Sequence, residues 1–379
     1  VINQQLAEVS NLAIVVSIVL YVLALIGFSA DLASSSQRRS DARLAARERA
    51  EADAQAVPVG TAAAPSHGAS SPVPGDDVGS EARADGDGSG APADSAGSLL
   101  QAPAAEDAGS GAAARSMSPQ TFAFLLSCAA GVLHAVGVAL RAAATQRVPW
   151  TNMYEFATTS TVIVMLLFLL FSIRRRELRA LGTFVVGAIL LVLLLAQTFW
   201  IVPAAALTPS LQNSHWLIIH IGVAIIATSL SILGALVAML QLLRAKHEKA
   251  LAAKVAAGEE HPEHWGRVGH VLDRLPTSKP LEALSFRIHS IAFVCWTFTL
   301  IFGAVWAREA WGRYWGWDPK EVWTFIIWVI YAAYLHARAT GGFRGTRAAW
   351  LALAGFVAVV FNYTIVNTVI NGLHSYSGL

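Results

Sequence analysis

Long apolar stretches separated by short polar ones dominate the chain. Eight stand out, at about 11–29, 119–140, 155–173, 180–201, 214–243, 287–306, 322–338 and 347–368. A helix rises 1.5 Å per residue, so each is long enough to cross a hydrocarbon core about 30 Å thick. No water is present there to pair with backbone N–H and C=O groups, so each stretch is predicted to be a helix with its bonds made internally. The expected fold is all-α: a polytopic integral membrane helical bundle of about eight transmembrane helices.

Residues 31–118 break this pattern. They are rich in Ala, Gly, Ser, Asp and Pro and contain no Phe, Trp or Tyr. Such a segment buries too little apolar surface to offset its ordering entropy, so it reads as a disordered linker. Arg38–Glu51, at its start, suits an extension of the first helix. The domain organisation is then an N-terminal transmembrane anchor at 1–30, the linker at 31–118, and a transmembrane domain at 119–379. The first apolar run, Leu12–Phe28, follows no Lys or Arg. A secretory signal shows the reverse order, so a retained anchor is expected.

Charge adds orientation. Arg38, Arg39, Arg43, Arg47 and Arg49 follow the first span, and Arg174, Arg175 and Arg176 the third. The loop 244–286 carries seven Lys or Arg, and Arg338, Arg344 and Arg347 separate the last two spans. If the spans alternate, all four clusters share one side, which the positive-inside rule makes cytoplasmic. The linker is then cytoplasmic and both termini lie outside the cytoplasmic (plasma) membrane. The loops 141–154, 202–214 and about 306–323 are outside too. A formal net charge of +2 on 379 residues implies no nucleic-acid partner. The two cysteines, Cys128 and Cys295, lie in apolar spans and form no CxxC, so the chain is neither a c-type cytochrome nor a thioredoxin-like reductant.

Half of the 12 tryptophans fall between residues 306 and 328. Trp311, Trp315 and Trp317, with Tyr314, crowd one predicted outer loop. An interfacial belt accounts for single tryptophans. A flat, apolar ligand at the membrane face accounts better for the cluster, and haem is such a ligand. Two histidines fall at matching depth: His220, one turn into the fifth span, and His374, just beyond the eighth. Imidazole nitrogen ligates haem iron, so the pair suits both faces of one porphyrin. His215 competes but faces away from His220 on a helix. Asp318-Pro-Lys-Glu321 carries a capping-box signature: Asp at N-cap, Pro at N1, Glu at N3. Helix capping is the first reading of Asp318, with direct chemistry as the weaker alternative. The positive helix end, with Arg313 and Lys320, suits an anion such as a haem propionate.

The run Trp311-Gly-Arg-Tyr-Trp-Gly-Trp-Asp-Pro-Lys-Glu321 resembles the WWD domain of the haem-handling proteins of cytochrome c biogenesis. It is most similar to the System II subunit called CcsA, or CcsB or ResC in some bacteria. Pro149-Trp-Thr-Asn-Met-Tyr-Glu155, Leu211-Gln-x-Ser-x-Trp-Leu-x-x-His220, Gly303-Ala-x-Trp-Ala307, Tyr334-Leu-His-Ala-Arg338 and Gly372-Leu-His-Ser375 also match, in order. The resemblance implies a subunit of a holocytochrome c synthase (haem lyase-type) complex that exports haem b to the outer face. There it docks on the tryptophan domain with His220 and His374 as axial iron ligands. His336 maps onto a histidine that holds transmembrane haem during passage. The family joins haem vinyl groups to the CxxCH thiols of apocytochrome c by thioether bonds. Its partners are a ResB-type membrane subunit and thiol-reducing membrane or thioredoxin-like proteins. A haem transporter or chaperone without ligation activity of its own is the alternative.

His289 and His336 lie at similar depth, so an internal pair is one option for them, and His134 reads as a buried, hydrogen-bonded residue. Glu155 suits a helix N-terminus, with ligand or partner contact as the alternative. His261, His264 and His270 match no zinc spacing and read as a solvated loop.

Overall fold

The computed structural model describes residues 2–55, 117–205, 214–259, 262–340 and 342–374. Most of the expected linker, 56–116, lies outside the described residues, as do Leu211–Asn213, His261 and Ser375. Among the described residues the chain is helical: α1 (Gln4–Gln55), α2 (Pro119–Thr145), α3 (Met153–Arg174), a 3₁₀ turn (Arg176–Leu181) and α4 (Gly182–Phe199). There follow α5 (His215–Ala256), α6 (Gly266–Leu272), α7 (Ser278–Trp311), α8 (Pro319–Ala339), α9 (Thr346–Tyr363) and α10 (Ile365–Thr368). Among the described residues, eight helical segments are long and apolar enough to cross a membrane, and they coincide with the eight apolar stretches. The protein is an all-α polytopic membrane bundle. Residues 31–55, at the start of the linker, continue α1.

The chain divides into two units, Val1–Arg43 with Met117–Leu379, and Leu44–Ser116. The first holds all the spans. Its centre is α5, which packs most extensively on α7 and also touches α3 and α9. Of the apolar stretch of α5, 67% is buried, against 17% for α8, so α8 is peripheral. Exposed Leu12, Val132, Leu191 and Val357 line the outside of the bundle, where an apolar side chain belongs in lipid.

The two ends of the bundle differ chemically. At the basic end, Arg274 pairs with Asp31 at 2.9 Å and Arg244 with Asp273 at 2.6 Å, while Arg338 meets Glu282. Burial raises the Asp273 carboxyl, but the Arg244 hydrogen bond and the His247 charge outweigh it and hold it below the ordinary aspartate value. His264 departs from the solvated-loop reading: it is half-buried, with its ring 5.7 Å from His247 and 4.5 Å from Trp265. The cause is α5, which runs well past a membrane thickness to Ala256 and carries His247 out beside that loop. No group of three or more metal-ligating side chains forms among the described residues.

Candidate functional site

At the other end, the starts of α3, α5 and α8, the ends of α7 and α9, α10 and the segment after it enclose one cavity. Its empty space is ≈ 1220 Å³, open mouth included. Trp150 and Phe156, His220, Trp306, Tyr314 and Trp315, Lys320, Tyr363 and His374 all line it. Its wall is largely apolar and aromatic with a few polar groups, the usual make-up of a small-molecule site.

The socket of His220 is built by one face of α7. Residues at spacings of three and four share a helix face, and here these are Thr299, Gly303 and Trp306. His220 Nδ1 lies 3.0 Å from the Thr299 carbonyl oxygen. The carbonyl only accepts, so Nδ1 carries the proton and donates, leaving Nε2 with a lone pair. Gly303 forms the floor: a Cβ there would lie 2.8 Å from His220 Cε1 and 2.9 Å from Nδ1. Trp306 stacks on the imidazole, with centroids 6.0 Å apart and planes at 10°. The Gly303-Ala-x-Trp306 spacing thus becomes a shaped seat for one ring.

His374 arrives from the far end of the chain and meets the start of α8. Asp318 caps α8, accepting the Lys320 N–H at 3.1 Å, and Glu321 completes the capping box. Glu321 Oε2 also accepts the N–H groups of Gly316 and Asp318 at 2.8 and 3.0 Å, which folds the tryptophan loop back onto the helix. Asp318 does more than cap. Its Oδ2 accepts from His374 Nδ1 at 2.8 Å, and its Oδ1 accepts the Leu373 N–H at 2.6 Å. Gly372 permits this approach, since a Cβ there would fall 2.6 Å from Asp318 Oδ1. Burial pushes the Asp318 carboxyl up, but the hydrogen bonds from His374 and Leu373 outweigh it and hold the group below the ordinary aspartate value. His374, like His220, therefore presents Nε2. A ring whose other nitrogen is held by a carbonyl or carboxylate is the usual state of a metal-ligating histidine.

Tryptophans join the two rings. Trp306 is 2% exposed and touches His374 as well as His220, at 5.6 Å between centroids. Trp311 packs edge-on to both Trp306 and His374, at 4.7 and 4.9 Å. Trp315 and Tyr314 line the cavity, whereas Trp317 is 75% exposed, with a left-handed φ of 59°, and does not. Lys320 lines the cavity; Arg313 is exposed, lies against Gly316 and is not part of the lining. Trp306 and Trp150 are wall residues outside the set singled out from the sequence. Their signal in the sequence is membership of the Pro149–Glu155 and Gly303–Ala307 runs.

Glu155 stands behind the Trp150 wall. It is 1% exposed and pairs with Arg141 at 3.2 Å and Arg147 at 2.8 Å. It also accepts from the N–H and hydroxyl of Thr151, each at 3.1 Å. Its role is to hold the turn that carries Trp150 through Asn152.

The remaining histidines lie elsewhere. His336 is exposed on α8. His289 is buried, its Nδ1 2.8 Å from the Ser285 carbonyl oxygen, among Tyr331 and Tyr334. One faces out and the other in, so an internal pair between them does not form. His134 is buried beside the Tyr21 hydroxyl, 3.4 Å from Nδ1.

The fold and site together define a membrane-embedded helical protein with an aromatic cavity that presents two imidazoles at one end of its bundle. The profile of the Cytochrome C assembly protein family matches residues 150–374, more than half of the chain. The chain belongs to that family. The match runs from Trp150 to His374, the first and last residues to line the cavity. Among curated proteins, the chain is similar to the cytochrome c biogenesis protein CcsA of Parasynechococcus marenigrum, at 40% identity over 179 residues (46% of this chain and 58% of that protein). The CcsA of Heterosigma akashiwo is 34% identical over 250 residues, 61% of this chain and 77% of that protein. That of Chlamydomonas reinhardtii is 40% identical over 173 residues, 46% and 43%. The chain spans less than two thirds of the first and third of these relatives.

Proposed function

We propose that this cavity receives haem b on the outer face of the cytoplasmic membrane, with Nε2 of His220 and of His374 as the axial iron ligands. One observation carries the reading. Two histidines from distant parts of the chain line the same cavity, each with Nδ1 engaged and Nε2 left over. Family membership and the aromatic walls support the same ligand. The four basic clusters support the orientation, with both termini outside.

In this reading the chain is the System II haem-handling subunit of a cytochrome c synthase. Exposed His336, on the least buried span, suits a transmembrane haem site completed by a ResB-type partner. The acceptor is the CxxCH segment of apocytochrome c, kept reduced by thiol-reducing membrane or thioredoxin-like proteins. Each thiol adds across a haem vinyl group. An S–C bond forms, the vinyl double bond becomes single, and the thiol proton ends on the second vinyl carbon, so no net electrons are exchanged. The chain's contribution is positioning: it holds the porphyrin and presents its edge, which converts a bimolecular encounter into a local one. Asp318 acts through His374 as a positioning residue.

The test is the absorption spectrum of the purified protein with its partner, oxidised and reduced. A low-spin bis-histidine spectrum is expected, lost in His220→Ala and in His374→Ala and restored in each by added imidazole. Haem-free protein from haem-replete cells, or a spectrum indifferent to both substitutions, refutes the reading. Incubation of the loaded complex with a CxxCH peptide then separates ligation from delivery alone.

A further inference from the structure

We infer that Lys320, with the indole N–H groups of Trp306 and Trp150, forms a carboxylate subsite within the cavity, and that it takes one haem propionate. The propionate assignment rests on the haem reading above.

Lys320 Nζ donates to the Asn362 carbonyl oxygen and to Asn367 Oδ1, each at 2.8 Å. Both acceptors are neutral. An ammonium has three N–H donors, so one is left over. A cation drawn out of water beside neutral partners costs free energy that an anion offsets. The carboxylates next to it in sequence make no hydrogen bond to its ammonium: Asp318 acts on it only through space while accepting from His374 and Leu373, and Glu321 accepts from Gly316 and Asp318.

The second observation is independent of charge. Trp306 Nε1 and Trp150 Nε1 are both buried with no hydrogen-bond partner, and both rings line the same cavity as Lys320. Buried indole N–H groups nearly always have an acceptor. Two orphan indole donors in the wall and a spare ammonium N–H leave that wall short of acceptors, a lack that a group which only accepts would fill. A carboxylate offers two oxygens, about four lone pairs and no donor. Haem carries its propionates on the ring edge opposite its vinyl groups. Anchoring one at Lys320 therefore turns the vinyl edge away from Lys320, which fixes the in-plane orientation that axial histidines leave free.

The experiment is a spectroscopic titration of the full chain with its partner in detergent, using haem and haem dimethyl ester, in which both propionates are masked. Wild type is expected to bind haem at least about 10-fold more tightly than the ester, as a hydrogen-bonded charged group implies. Lys320→Met and Trp150→Phe should each shrink that ratio while the His220- and His374-dependent low-spin spectrum persists. If wild type binds both porphyrins equally with that spectrum, the subsite is refuted and the haem reading stands. If neither gives a histidine-dependent spectrum, the haem reading falls and the propionate assignment with it. Should Lys320→Met fail to fold, the wild-type ratio alone decides.

Discussion

Gly303→Ala separates the demands of the fold from those of the site. The added Cβ would stand 2.8 Å from His220 Cε1 and 2.9 Å from Nδ1. Ordinary carbon contacts lie at about 3.5–4.0 Å, so the imidazole must retreat by roughly 0.7–1 Å. The 3.0 Å bond from Nδ1 to the Thr299 carbonyl does not survive a shift of that size away from α7. Its loss costs about 0.5–1.5 kcal/mol. Replacing a mid-helix glycine by alanine returns about 1 kcal/mol in helix propensity. The two nearly cancel, so folding stability should change by less than about 1 kcal/mol.

Haem coordination has no such compensation. A displaced, untethered His220 cannot hold Nε2 on the iron axis, and the Trp306 stacking that sets its plane is lost as well. The expected result is a melting temperature near that of wild type and haem retention weakened at least about 10-fold, equivalent to about 1.4 kcal/mol. Added imidazole should restore the low-spin spectrum. Thermal unfolding in detergent and a haem titration, run on one preparation, read both quantities. A wild-type spectrum and affinity in Gly303→Ala would show that Gly303 does not seat His220. Unfolding with no folded, haem-poor state would show that the glycine serves packing alone.

Other expectations follow from the same geometry. Asp318→Ala should match His374→Ala in haem loss, whereas Asp318→Asn keeps the cap and should fall between, both read from the low-spin spectrum with imidazole rescue. Because the folded Asp318 value is depressed, its contribution is complete above the ordinary aspartate value of about 3.9 and is lost only as pH falls through the lower folded value. The advantage of wild type over Asp318→Asn in haem retention should therefore persist across about pH 5–8; its disappearance within that range would contradict this. Glu155→Gln leaves Arg141 and Arg147 buried beside a neutral partner and should destabilise the protein by about 3–5 kcal/mol, measured by thermal unfolding. His336→Ala should leave the His220- and His374-dependent spectrum of the isolated chain unchanged, since His336 lies outside the cavity; loss of that spectrum would link the two places.

The sequence makes the spans legible because hydrocarbon imposes one requirement on every residue of a span, and an apolar run of sufficient length answers it wherever it occurs. The cap on α8 is legible for a similar reason: its partners sit three positions apart. The tryptophans are harder. Trp317 shares the motif with Trp315, yet a left-handed turn sends it outward to 75% exposure. Trp306 lies in a span ahead of the motif, yet it touches both imidazoles. Motif membership identifies a segment, while side-chain direction depends on backbone angles and on neighbours from other helices.

Asp318 shows where local reading stops and what chemistry could have carried it further. Serine, threonine and asparagine cap helices about as well as aspartate. A cap alone therefore leaves the residue type open. The structure gives the carboxylate N–H donors from the first turn of α8, from Leu373 and from His374, spread over two oxygens. A hydroxyl has one oxygen to offer, and an amide has one carbonyl oxygen and an NH₂ that repels a donor. Only a carboxylate closes the helix and grips the Gly372–His374 segment at once. The aspartate at the end of the tryptophan motif is thus the joint through which the loop and the second histidine are fixed to each other. The distance along the chain between them hides this in the sequence, because nothing local to either segment names the other.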